Sequence, residues 1–247
     1  MIKHYEITIG QKEDFRPNAS TAYRLYSALL SAVPYEYADG LHNQEITPIA
    51  QHLSFSGRKI QWHISLFGEN SCEYFGDILD NNDGINTDDG RIVFEDKHSS
   101  IIMNDSELLQ KAAMQPDSDI WVLRIDSPTT FKSSGEYVLF PSVELIINSM
   151  VQRLNALCES IAIDDDEAIS MLKGGVRIAS YQLNSAPFYI KGQCISGFIG
   201  RLSLRTRLSP PMMELWRLLA CFSGYSGIGI KPALGMGGVC AIPVRKK

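Results

Sequence analysis

Polar and apolar positions alternate over residues 3–9, KHYEITI, with the period of a half-buried strand. Asn18 and Ser20 then offer helix-capping side chains, and Ala22, Leu25, Tyr26, Leu29 and Val33 recur at helical spacing. Pro34 and Gly40 bracket a short second helical piece over 35–41. Strand patterns return at 46–55 and 59–67, with Ser56-Gly57-Arg58 as the turn between them. A short helix over 72–79 leads into DNNDGINTDDG at 80–90, whose Asn, Asp and Gly content reads as an exposed loop. Its glycines miss the EF-hand spacing. Strand-like pieces follow at 92–95, 100–103 and 120–125.

The pattern changes between Ser127 and Ser142, through SPTTFKSSGEYVLFPS, and the domain boundary is placed at Asp126. A long helix over 143–160 carries Val143, Ile147, Met150, Val151, Leu154 and Cys158 as its core stripe. Four consecutive acids, Asp164–Glu167, precede a short helix, where carboxylates complement the helix N-terminus; no metal site is expected there. Strands are expected near 176–183, 188–193 and 199–206, then a helix over 211–222, a glycine-rich loop over 224–238 and a closing strand over 239–244. Each half mixes about four strands with two helical segments in an order compatible with βαββαβ. The expected fold is therefore α+β: two tandem ferredoxin-like (RRM-like) domains, 1–126 and 127–247, the second carrying the C-terminal glycine-rich loop.

With 247 residues, 45% of them hydrophobic, the chain can bury one large core or two smaller ones. No apolar run approaches the ~20 residues of a membrane span, and the first ten residues lack a secretory signal's apolar core. Five widely spaced cysteines with no C-x-x-C pair argue against a disulfide framework and a cysteine-rich zinc site. A cytoplasmic protein without cofactor or metal is expected. The net charge of −5 conceals its distribution. Residues 1–172 hold 12 Lys/Arg against 27 Asp/Glu, whereas residues 173–247 hold 11 Lys/Arg against Glu214 alone. Such a basic third suits a polyanion, since local potential steers phosphates; it would also suit two oppositely charged domains attracting each other.

Two stretches of that basic third carry chemistry. In RLSLRTR at 201–207, strand alternation puts Arg201, Ser203, Arg205 and Arg207 on one face and Leu202 and Leu204 on the other. Three guanidiniums without an acid among them repel one another, and a phosphate backbone relieves that repulsion. GYSGIGIKPALGMGGV at 224–239 gathers Gly227, Gly229, Gly235 and Gly237 around Lys231. It follows a helix and enters a strand, the reverse of a dinucleotide-binding fingerprint, and lacks Walker spacing. Its glycines would let backbone N–H groups approach phosphate, with Lys231 supplying charge. The other reading is a tight helix-to-strand connection packed on the sheet.

SPTTFKSSGEYVLFPS, GFIGRLSLR at 197–205 and the glycine-rich loop, in this order and spacing, resemble the Cas6 family of CRISPR-associated repeat-RNA-processing endoribonucleases. In the first half, LHNQEITPI at 41–49 resembles the family's Leu-His segment ahead of its first long strand. The resemblance implies cleavage of CRISPR repeat RNA without metal, by ribose 2′-OH attack on the adjacent phosphate. It places His42 at the family's common catalytic histidine, and imidazole suits proton transfer near neutrality. Tyr26 lies near the family's helical tyrosine, though its own stripe makes it equally a core residue, and Tyr23 is the neighbouring candidate. The family often has a lysine shortly after the histidine; residues 43–48 have none, which leaves Arg24 or Lys59 to supply the cation. Arg201, Arg205, Arg207, Gly227, Gly229, Lys231, Gly235 and Gly237 would hold RNA. His52 and His63 lie on expected strands, where core or cross-strand partners are usual, and His4 and His98 carry no motif. Expected partners are CRISPR repeat RNA and subunits of an effector complex. A homodimer is compatible with the pattern, and no membrane partner is expected. The alternative function is a non-catalytic RNA-binding subunit of such a complex.

Overall fold

The computed structural model describes residues 1–10 and 17–245, with residues 99–102 described by their backbone alone. Its first half runs β1 (Ile2–Ile9), α1 (Thr21–Ser31), α2 (Tyr35–His42), β2 (Ile49–Ser56), β3 (Lys59–Phe67), α3 (Gly68–Asn81), β4 (Gly84–Thr87) and β5 (Gly90–Met103). These strands form one antiparallel sheet in the order β2-β3-β1-β5-β4. Alternation sends Tyr5, Ile7 and Ile9 of β1 and Trp62, Ile64 and Leu66 of β3 into a core closed by Leu25 and Leu29 of α1 and Phe75 and Leu79 of α3. Helix α4 (Asp105–Ala113) then links to the second half.

That half runs β6 (Ile120–Thr129), β7 (Phe131–Ser133), β8 (Glu136–Val138), α5 (Val143–Leu157), α6 (Asp166–Gly175), β9 (Val176–Ile190), β10 (Gln193–Thr206), α7 (Pro210–Ser226) and β11 (Val239–Pro243). Its main sheet has the order β11-β6-β10-β9, the ferredoxin-like arrangement, and the first sheet shares it apart from the added β4. Trp121 and Leu123 of β6 and Leu202 and Leu204 of β10 pack with Ile147, Met150 and Leu154 of α5 and Trp216, Leu219 and Phe222 of α7. Ile2, Ala50 and Phe67 of the first sheet join this second core, so the two units share buried apolar surface.

Several expected elements fuse. The pieces at 92–95 and 100–103 are one strand, β5, and three pieces between 176 and 206 are the two long strands of a single hairpin. Lys191 and Gly192 turn that hairpin at φ of 48° and 78°, the two-residue positive-φ turn that matches strand twist. Part of the expected loop at 80–90 forms β4. Asn104 and Glu107 close a reciprocal capping box that starts α4, a helix the apolar pattern does not show. Asp165 caps α6, accepting from the N–H groups of Glu167 and Ala168. The boundary expected at Asp126 falls inside β6. The chain changes sheets between Met103 and Ile120, because β6 pairs with β10 and β11.

Candidate nucleic-acid interface

The glycine-rich loop is the seam between the two units. Gly235, at φ 110°, faces α1 so closely that a Cβ there would lie 2.3 Å from the Cβ of Ala22. A Cβ on Gly238 would lie 2.3 Å from the His52 ring, and one on Gly229 would lie 2.4 Å from the carbonyl of Thr130. Buried Gln51 fastens the loop to the first sheet. Its Nε2 donates to the carbonyls of Ala22 (2.6 Å) and Ala233 (2.9 Å), while Trp62 Nε1 donates to its Oε1 at 2.6 Å.

Most loop amides already have acceptors. The N–H groups of Gly227, Ile228, Ile230 and Gly237 donate to the carbonyls of Ser223, Gly237, Thr130 and Pro128, respectively. Those of Gly229 and Gly238 donate to the hydroxyls of Ser149 and Ser127. The expected phosphate cradle of free amides is thus replaced by close packing, and Gly227, Gly235 and Gly237 are buried. Lys231 is the loop's exposed charge, held at φ 55°. With Gly229 it lines a groove of about 660 Å³ whose other walls include Glu45, Thr47, Lys132 and Arg153.

Arg153 is the unexpected member. It sits in the buried stripe of α5, 5% exposed, with Nε donating to the carbonyl of Ser226 and Nη2 without a partner. Burial pushes its guanidinium down to about 9.

The second basic feature is the exposed face of the main sheet. Arg201 and Arg205 point outward from β10 while Leu202 and Leu204 are buried, the alternation the sequence implies. Arg207 continues it just beyond the strand. The ladder adds Arg177 directly opposite Arg205, and Arg177, Arg205 and Arg207 line one cavity of about 360 Å³. Exposed aromatic rings, Tyr137, Phe140 and Tyr181, stand on the same half of the molecule. Phe140 and Tyr181 meet edge to face, with centroids 5.4 Å apart.

His42 ends α2 and is exposed, and the chain passes from it through Asn43 and Gln44 into the groove wall at Glu45. Tyr26 is placed differently: only 6% exposed, it packs in the first sheet's core, and burial pushes its phenol up to about 12. Tyr23 packs partly buried beside Phe188 and Met236. Arg24 is ion-paired with Asp89, and Lys59 is exposed at the start of β3.

Residues 123–239 match the family model of CRISPR-associated endoribonuclease Cas6. This stretch of the chain is similar to the Cas6 family. A Streptococcus thermophilus CRISPR-associated endoribonuclease Cas6 is 26% identical over 224 residues, covering 90% of this chain and 92% of the relative. One from Mycobacterium tuberculosis is 27% identical over 230 residues, covering 92% and 73%. Among solved structures, a Cas6 product complex has a TM-score of 0.77 at 20% identity, covering 97% of this chain and 98% of that one. Thermus thermophilus Cas6 has a TM-score of 0.70 at 19% identity, covering 99% and 98%. The Cas6 match takes in β6 from Leu123 onward, the whole arginine face and the glycine-rich loop; His42 lies outside it. Arg153, Arg177 and Lys132 are the cations sequence reading passed over. Arg153 hides within an apolar stripe, and Arg177 stands out only once its register against Arg205 is known.

Proposed function

We propose that this chain is a metal-independent endoribonuclease of the cytoplasm that binds CRISPR repeat RNA and cuts precursor transcripts into guide RNAs. The Cas6 match across the half bearing the arginine face carries this reading. The exposed guanidiniums of Arg177, Arg201, Arg205 and Arg207 hold the RNA backbone, and Tyr137, Phe140 and Tyr181 offer rings for unpaired bases. Lys231, Lys132 and Arg153 form the cationic wall of the groove beside residues 45–49. His42, three residues before the groove residue Glu45, acts as the proton-transfer group. The ribose 2′-OH loses its proton to a base and attacks the adjacent phosphorus in line; the 5′-oxygen leaves and takes a proton. The products are a 2′,3′-cyclic phosphate and a 5′-OH. Cations beside the phosphorane stabilise its added negative charge, a role the Lys-free segment after His42 leaves to the groove's Lys231 and Lys132. Tyr26, with its ring in the core, holds α1 on the sheet.

The test is cleavage of 5′-labelled repeat RNA in EDTA by the wild type and by His42→Ala, with a second substrate carrying 2′-deoxyribose at the cut. A single EDTA-resistant cut, lost with the variant and with the deoxy substrate while RNA binding persists, is the expected result. Cleavage that survives His42→Ala removes His42 from the mechanism. Tight binding with no cut by the wild type makes the protein a non-catalytic RNA-binding subunit.

A further inference from the structure

The face of the first sheet turned toward the second unit is apolar at Ile2, Ala50 and Phe67, then becomes rich in histidine. Strand register sets this out: Glu6 lies directly across from His63, His4 across from Ser65, and His52 across from His63. His52 and His63 stack with centroids 4.7 Å apart, and His4 meets Tyr225 of α7 edge to face at 5.3 Å. The Nδ1 of His4 is 2.8 Å from Ser65 Oγ, and the Nε2 of His63 is 2.8 Å from Ser54 Oγ. His4 and His63 thus each have one nitrogen tied to a serine, and the other nitrogen of each is directed at the same carboxylate oxygen. His4 Nε2 lies 3.9 Å from Glu6 Oε1, and His63 Nδ1 lies 3.7 Å from it.

We propose that His4, Glu6 and His63 bind a single divalent cation of the zinc class, with Nε2 of His4, Oε1 of Glu6 and Nδ1 of His63 as its ligands. The two separations are longer than hydrogen bonds, so neither imidazole satisfies the carboxylate directly. All three ligand atoms lie within 4.8 Å of one another. A point equidistant from them is no more than about 2.5 Å from each, and closing by a few tenths of an ångström reaches zinc–ligand lengths of about 2.0–2.2 Å. In the tautomer whose remote ring nitrogen donates to the serine hydroxyl, the facing nitrogen keeps its lone pair, which is how outer groups orient metal-binding histidines.

Two imidazoles and one carboxylate suit a borderline first-row cation and disfavour magnesium or calcium, which prefer oxygen ligands. Three protein ligands leave a coordination position open. It gives onto a cavity of about 300 Å³ between the units, which Lys111, Arg124, Asp126 and Cys240 also line. The two cations there are engaged elsewhere: Arg124 Nε donates to Asp126 at 2.8 Å, and Lys111 donates to the Tyr225 hydroxyl. Neither neutralises Glu6. None of these residues lines the groove of Glu45 and Lys231, so the site is separate from that groove.

Metal content tests this directly. Protein freed of any polyhistidine tag is stripped with a chelator, incubated with zinc, passed through gel filtration and assayed by atomic emission. One retained zinc per chain is expected, with a raised Tm and no retention of magnesium under the same treatment. Glu6→Gln preserves the shape of a half-exposed side chain and should lose the zinc and its Tm increment with an unchanged circular dichroism spectrum. His63→Ala should lose them too, whereas His42→Ala should keep both. Wild-type protein that carries no zinc through filtration overturns the proposal, as does full retention by Glu6→Gln and His63→Ala.

Discussion

Arg153 concentrates two opposed energies in one side chain. A buried guanidinium with no carboxylate partner among the described residues costs stability, while its bond to the carbonyl of Ser226 ties α5 to the C-terminal end of α7. Desolvation is the larger effect, since among the described residues one carbonyl is its hydrogen-bond partner and burial lowers its pKa. Arg153→Met should therefore leave the urea midpoint unchanged or raised. Its affinity for repeat RNA should fall by about tenfold, the worth of one charge-assisted bond to phosphate. Stability and affinity that fall together would make Arg153 a structural strut. Tyr26 gives a second residue-level test. Its phenol holds its proton to about 12 in the folded state, against 10.0 ordinarily. The stability from that raised value is fully present below pH 10 and is lost as pH rises from 10 toward 12. Tyr26→Phe should flatten the alkaline fall in Tm, leave part of it to Tyr5, which behaves alike, and keep repeat cleavage intact. Loss of cleavage with an unchanged Tm would return Tyr26 to the active site.

At the level of elements, the glycine-rich loop works through close approach. Gly235→Ala combines a strained positive φ with a Cβ driven into Ala22, so it should cost roughly 2–3 kcal/mol. Gly192→Ala, at φ 78° on the tip of the β9–β10 hairpin, meets open space and should cost only about 1 kcal/mol. Urea denaturation of the two variants ranks them, and equal costs would mean that the seam yields to the added methyl. Elements with one clean period were legible in the sequence: β1, β3, α1 and α5 bury most of the residues their spacing marks, with Val33, Val143 and Cys158 only half-buried. The seam was not. Gln51 reads as an ordinary polar strand position, yet it joins α1, the loop and Trp62 in one buried network. The β9–β10 hairpin was read as three strands because a long, largely exposed ribbon lacks a continuous apolar stripe. Likewise β6 reads equally well as the last strand of the first unit, since only pairing partners 69 or more residues away assign it to the second sheet.

For the whole molecule, the sequence's charge asymmetry becomes a basic surface on an acidic protein, and its faces follow from alternation. The alternation of RLSLRTR was enough to place Arg201 and Arg205 outward. It could not reveal that Arg177 stands opposite Arg205, because that pairing depends on a bulge that shifts the β9–β10 register between Ser203 and Leu204. Like charges in directly opposed cross-strand positions destabilise a sheet by a few tenths of a kcal/mol, and more at low ionic strength. An Arg177→Gln/Arg205→Gln double variant should therefore melt slightly higher than wild type in low salt, with the difference vanishing in high salt. Its affinity for repeat RNA should move the other way. Each lost phosphate contact lowers the steepness of log K against log salt by about 0.7 for single-stranded RNA and about 0.9 for duplex. Two such contacts give a slope shallower by about 1.4–1.8. Fluorescence anisotropy across a salt series reads the slope, and calorimetry of the free protein reads the stability. A gain in stability with an unchanged salt slope would mean that this arginine face meets something other than a phosphate backbone. Both changes together would show two cations held against each other's repulsion by the RNA they bind.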